Sequence, residues 1–167
     1  MTDIITLPHT FNPKSKVWIF QSNRAFTSAE EGEINNTLQQ FTASWKSHGA
    51  TVTGYATIFL KQFIVLLADE ATTAISGCST DSAIKVMQQI AVLYNVQLFD
   101  RLMLAFIVDE KVKLIHLHQL QTAFENGAIN MHTLYFNNTV LTKNEFDTNW
   151  LIPIVGSWLQ NKLLQIK

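Results

Sequence analysis

Two spacings divide the chain: apolar runs or alternations of a few residues mark strands, and apolar positions three or four apart mark helices. Val17-Trp18-Ile19-Phe20 reads as a buried strand. Ile34, Leu38, Phe41 and Trp45 then share one helical face. Thr27 or Ser28 can cap that helix, with Glu30 or Glu31 completing a capping box. Gly49 supplies the left-handed residue that would stop it, after Lys46 and His48 at the negative dipole end. From Val52 to Leu60 apolar and polar positions alternate, as in a half-buried strand. Lys61-Gln62 turns into a second strand, Phe63 to Ala68.

A loop is expected from Ala71 to Ser79. Thr80 or Asp81 then caps a second helix reaching about Tyr94. Ile84, Met87, Ala91 and Tyr94 form its main stripe, and Val86, Ile90 and Leu93 widen it, so the helix should be well covered. Leu102 to Val108 and Val112 to Leu117 read as strands joined at Asp109-Glu110-Lys111. The order is strand, helix, strand, strand, helix, strand, which predicts an α+β fold with a ferredoxin-like βαββαβ core. Its sheet would be antiparallel and extended by the second hairpin, with both helices on one face. Gln119 to Asn126 reads as a short helix ended by Gly127, and Thr133 to Val140 as a further strand. Thr142 and Glu145 open a helix near Phe146 and Trp150 that Pro153 breaks. Val155, Trp158, Leu159 and Leu163 give a C-terminal helix.

The 167 residues fit one domain over 1–167, with an irregular lead-in at 1–14. Such a length buries roughly 70% of its unfolded surface, enough for a core without a disulfide or metal staple. Charged residues are only 15% of the chain, while there are eleven Phe and four Trp. General disorder is excluded by that balance. It also favours some apolar surface covered by a partner, a second copy or another protein. The net charge of −1 gives no bulk attraction to nucleic acid. The longest apolar stretch, Phe63 to Ala68, is too short to span a membrane. One cysteine and no basic segment leading into an apolar run make a cytoplasmic, bacterial protein the expectation.

The most distinctive stretch is Ser76-Gly77-Cys78-Ser79-Thr80-Asp81-Ser82, between a strand and a helix. Gly77 allows unusual backbone angles, and a helix start offers unpaired N–H groups and positive potential. Gly77, Cys78, Ser79 and Thr80 could therefore hold an anion, with Arg24, Arg101 and Asp69 as further lining. The alternative gives Ser79, Thr80 and Asp81 a capping role only and buries Cys78 as a small hydrophobe. Arg24 and Arg101 are the only arginines. Each suits bidentate recognition of a carboxylate or phosphate, or an ion pair with a nearby acid such as Asp100, Asp69 or Glu70. Cys78 has no histidine at a diagnostic spacing, so catalytic residues are not assigned. His116-x-His118 lacks the further ligands of a metal site, and neither metal nor cofactor is expected. The aromatic positions Phe41, Trp45, Trp150 and Trp158 read as core, with partner docking as the alternative.

Val17 to Arg24, Trp45-x-x-His48-Gly49, Phe63 to Leu66, Asp69-Glu70, Ser76 to Ser82 and Phe99-Asp100-Arg101, followed by Phe136-Asn137 and Ser157-Trp158, form a recognisable set over roughly residues 14 to 160. The pattern resembles a small bacterial family whose members are often labelled ABC transporter ATPase. That label implies a P-loop, and the chain has no Gly-x4-Gly-Lys-Ser/Thr. The resemblance thus implies a shared fold and supplies no mechanism. Two functions remain open: a non-catalytic binding or protein-interaction domain, and a small-molecule or anion site at residues 76–82 that could be enzymatic.

Overall fold

The computed structural model describes residues 5–71 and 73–165. The first four positions of the expected lead-in, and Thr72 in the expected loop, lie outside them.

The first half of the chain follows the expected order. Strand β1 is Lys16–Gln21, helix α1 Ser28–Ser44, β2 Lys46–Ser47, β3 Ala50–Thr51, β4 Thr53–Phe59, β5 Phe63–Asp69 and helix α2 Gly77–Leu93. Thr27 caps α1, and Glu30 returns the bond to the Thr27 N–H, completing the capping box. β1, β5 and β4 form an antiparallel three-stranded sheet in that order, with Trp18 opposite Leu66 and Ala56 opposite Leu66 on the other side. β5 is therefore central, which explains its unbroken apolar run. Ile64, Leu66 and Ala68 face one core with Ile34 and Leu38 of α1 and Met87 and Ile90 of α2. Phe63, Val65 and Leu67 face a second core.

The second half builds another sheet. β6 (Met103–Val108), β7 (Lys111–His116), β8 (Leu134–Phe136) and β9 (Leu151–Pro153) pair in the order β7-β6-β8-β9. Ala105 and Phe136 of this sheet share the second core with Val65 and Leu67 of the first. On its far side Leu104, Phe106 and Tyr135 pack with α3 (Leu120–Glu125) and α5 (Trp158–Leu164). The molecule is thus layered helix, sheet, sheet, helix, with α4 (Lys143–Asn149) at the edge of the middle layer, where Phe146 stacks on Trp150 at 4.5 Å.

Several expectations need correction. The second hairpin does not extend the first sheet. β6 instead pairs with β7 and β8, and what approaches the outer edge of β1 is the segment before α4, through Val17 N–H to the Leu141 carbonyl at 2.9 Å. The physical reason is that the inner face of β6 is needed to cover the first sheet's second face. Gly49 does not stop α1. The helix ends at Ser44, Trp45 turns extended, and His48-Gly49, with φ of 49° and 80°, close a two-residue hairpin between β2 and β3. α2 starts earlier than expected, because Ser76 rather than Thr80 or Asp81 is the cap. Nor is α2 well covered: Val92 and Leu93 are 83% and 73% exposed. Pro153 does not break α4. It lies in the edge strand β9, where a residue without an N–H is tolerated. The strand expected over Thr133 to Val140 is confined to β8, since Asn137 to Val140 turn back on themselves. No helix among the described residues is long and apolar enough to cross a membrane.

Candidate functional site

At the start of α2 the Ser76, Ser79 and Thr80 N–H groups are satisfied locally, while those of Gly77 and Cys78 have no partner among the described residues. Ser76 Oγ accepts from the Ser79 N–H at 3.2 Å, and Ser79 Oγ accepts from the Ser76 N–H at 2.9 Å. The Thr80 N–H donates to the Ser76 carbonyl. Gly77 lies inside the helix without the positive φ that a flexible turn would show. Cys78 is exposed rather than a buried hydrophobe. Ser79 is buried, and its carbonyl accepts the Trp45 indole N–H at 2.9 Å. This end of α2 is an anchor between α2 and the chain leaving α1.

The remaining expected residues do not gather there. Asp69 caps its own turn, with Oδ1 accepting from the Ala71 N–H. Arg24 grips Glu30 with two parallel bonds of 2.8 and 2.9 Å and also donates to the Tyr94 carbonyl at 2.7 Å. Tyr94 is the C-cap of α2, and a helix of 17 residues is about 25 Å long. Arg24 therefore sits a helix length from Gly77. It is a structural clamp holding the α1 start to the α2 end. Hydrogen bonds from Arg24 and from the Thr27 N–H pull the Glu30 carboxyl down to about 2, and the same pairing raises Arg24. Arg101 follows the C-terminal end of α2 and forms no ion pair among the described residues.

Arg101 opens instead onto a cleft of about 620 Å³. One wall is the outer edge of β1, from Val17 to Gln21. A second is the α2–β6 connection with Phe99, Asp100 and Arg101; a third is the turn Asn138 to Leu141; Tyr135 and Trp158 stand among the other lining residues. Phe99, Leu141 and Trp158 are 46%, 67% and 43% exposed, so the rim is apolar and open. Trp158 was expected in the core; it lies instead on this rim, its indole N–H donating to Tyr135 Oη at 3.1 Å. Burial raises the Tyr135 hydroxyl above its ordinary value, so it stays protonated through the neutral range.

At one end the cleft is closed by a polar relay. Trp150 Nε1 donates to Asn138 Oδ1, Asn138 Nδ2 to Gln21 Oε1, and Gln21 Nε2 to the Met103 carbonyl, each at 2.9 Å. These bonds join β1 of the first sheet to the start of β6 in the second. Comparison with family models, with curated proteins and with solved structures finds no match to this chain. The cleft therefore has to be read from its own chemistry.

That chemistry is mainly apolar and aromatic, with Arg101 and Asp100 as charged groups at one side. Asp100 is partly committed, since its Oδ1 accepts from the Leu102 N–H. No site role is assigned to Gln21 or Asn138 from the sequence, where Trp158 reads as core with partner docking as the alternative. The usable signal was a buried-type strand that ends in glutamine, a residue seldom enclosed without partners. Elsewhere, the rings of His116 and His118 lie tilted against each other with centroids 4.2 Å apart and share a hydrogen bond between their Nδ1 atoms. No group of three or more His, Cys, Asp or Glu able to hold a metal occurs among the described residues.

Proposed function

We propose that the protein is a non-catalytic binding domain whose ligand occupies the cleft beside β1. The observation that carries this reading is the combination at that one place. Exposed Phe99, Leu141 and Trp158 ring a cavity of about 620 Å³, and a guanidinium without an ionic partner among the described residues faces it. Binding pockets generally have this make-up: mostly apolar walls with a few convergent polar groups. The polar side chains deeper in, Gln21 and Asn138, are already bonded to one another. They fix the shape of the cleft and leave affinity to the walls. The ring of apolar rim residues also fits the low charge of the chain as a whole.

The same reading takes the βαββα unit as ferredoxin-like, with the fourth strand drawn into the second sheet. It keeps a cytoplasmic protein without a nucleic-acid partner, in line with a net charge of −1.

Titration with 1-anilinonaphthalene-8-sulfonate, an apolar fluorophore carrying one anionic group, tests the proposal. One site per chain is expected. Leu141→Glu should weaken it at least tenfold, while Val92→Glu on the exposed end of α2 should leave it unchanged. No binding, or binding abolished by the α2 substitution alone, would refute the cleft as the site.

A further inference from the structure

We infer that the ligand of this cleft is an extended, acidic peptide segment that pairs with β1 as an added strand. The inference rests on the reading of the cleft as a binding site and names what it takes.

The main-chain accounting of β1 supplies the first argument. The Ser22 N–H bonds the Gln62 carbonyl, so even-numbered residues of this strand face β5. The Val17 N–H bonds the Leu141 carbonyl and the Lys143 N–H bonds the Ser15 carbonyl, so odd-numbered residues face outward. Strand alternation then directs the Ile19 N–H and C=O, the Val17 C=O and the Gln21 N–H into the cleft. None of these four groups has a hydrogen-bond partner among the described residues. They alternate as an incoming strand would need. At about 3.3 Å per residue the stretch from Val17 to Gln21 spans about 13 Å, room for roughly four residues of a partner strand.

A second argument concerns protection. Exposed strand edges in monomers are blunted by a charge, a proline, a bulge or a covering element. The centre of this edge, Val17-Trp18-Ile19-Phe20, has no charge and no proline, and its register with β5 runs without a bulge. The segment after β8 covers only the Lys16 end, through the bridge to Thr142. The edge is left pairable.

The identity of the occupant follows from the walls. Symmetric pairing with a second copy of this chain would have to bring together two β1 edges, each lying in its own cleft between the Phe99 and Leu141 walls. Two recessed edges cannot meet, whereas a free extended segment can enter. Exposed Phe99, Leu141 and Trp158 offer apolar contacts to its alternate side chains. Arg101 stands two residues before Met103, whose carbonyl is bonded by Gln21, so it marks the Gln21 end of the edge. A carboxylate on the incoming segment would pair there. Main-chain bonding for affinity and alternate pockets for selectivity are the features of recognition by strand addition.

Selection from a random dodecapeptide library displayed on phage is the test. Enriched peptides should be acidic, with alternating β-branched or aromatic residues, and should displace the naphthalene sulfonate probe one for one. N-methylation of their backbone at residues of one parity should weaken binding at least tenfold, and at the other parity by less than threefold. Ile19→Pro removes an outward N–H that the fold does not use; it should weaken binding at least tenfold compared with Ile19→Val. Arg101→Gln should cost three- to tenfold with acidic peptides and nothing with their glutamine counterparts. Peptides indifferent to N-methylation in both registers would overturn strand addition. So would failure to enrich any peptide while the probe still binds, which would leave a small-molecule cleft. Loss of the probe as well would remove the binding site itself. A dimer in light scattering that Ile19→Pro dissolves would replace the peptide with a second copy.

Discussion

Gln21 and Asn138 stand 117 positions apart in sequence and meet through a single amide-to-amide hydrogen bond of 2.9 Å. Each uses its other amide atom to reach a different part of the fold: Gln21 the Met103 carbonyl, Asn138 the Trp150 indole. The relay is the point at which the two sheets are held in register beside the cleft. Partly buried chains of this kind stabilise little when complete, but removal of one member leaves its neighbours unpaired, and that is costly.

Asn138→Ala should accordingly lose about 1–3 kcal/mol, since it orphans both Gln21 Oε1 and Trp150 Nε1. Urea unfolding checks this, as a lower midpoint with an unchanged slope. A midpoint within error of the parent protein would show that water replaces both bonds at no cost.

The Arg24–Glu30 clamp makes stability depend on acid. Two hydrogen bonds from Arg24, helped by the Thr27 N–H, hold the Glu30 carboxyl at about 2 in the folded chain. An unfolded glutamate titrates near about 4.3. Because the folded value is depressed, the contribution is complete above the unfolded value and is lost as pH falls toward about 2. Stability of the parent should drop between about pH 5 and 2, and Glu30→Gln should flatten that part of the profile. Urea midpoints collected across that range decide it. Parallel profiles for the two proteins would mean that solvent screens the pair at this surface position.

How much of this could be read from the chain follows from the range of each interaction. The capping box of Thr27 and Glu30 was legible because both partners lie within one helical turn. β5 was legible because burial on both faces removes polar residues from every position. Ser76 reads as a loop residue in the sequence because Ser76, Ser79, Thr80 and Asp81 are all good caps, and one contact that favours Ser76 comes from Ser47, whose Oγ accepts the Ser76 N–H from 29 residues away. The separation into two sheets was illegible for the same reason. β6 carries an apolar pattern suited to either sheet, and its partner is decided by the packing of Ala105 and Phe136 against β5. Of the expected site residues only Arg101 lies in the cleft, and its significance depends on a stretch of the β1 edge, beyond the Val17 N–H, that is unpaired among the described residues and that no local pattern records.

The β2–β3 hairpin tests backbone conformation in isolation. His48 and Gly49 both have positive φ, and a Cβ added at Gly49 would meet nothing within 4 Å. Gly49→Ala should therefore cost about 1–2 kcal/mol through the left-handed backbone alone. His48→Asn should be neutral or slightly stabilising, since asparagine accepts that conformation more readily. Thermal unfolding of the two variants distinguishes the cases. An unaffected Gly49→Ala protein would show that the hairpin relaxes freely.

Gly54 faces the opposite situation, in which space rather than φ is limiting. A Cβ there would lie 2.9 Å from Trp45 Cε3 and 3.3 Å from Cζ3. Alanine in place of glycine would otherwise favour a strand by roughly 0.5–1 kcal/mol. The Trp45 ring cannot retreat: it is 2% exposed, is held by the Ser79 carbonyl through its N–H, and packs edge-on against Trp18 at 6.0 Å. Overpacking of about 1–3 kcal/mol should outweigh the conformational gain, so Gly54→Ala is expected to destabilise. Trp45→Leu removes the obstructing ring, and in that background Gly54→Ala should become neutral or favourable. A double-mutant cycle by urea unfolding measures the coupling, expected to exceed about 0.5 kcal/mol. Additive effects, or a Gly54→Ala variant more stable than the parent, would mean that the sheet yields at β4 and that Trp45 does not fix the spacing between α1 and the strands beneath it.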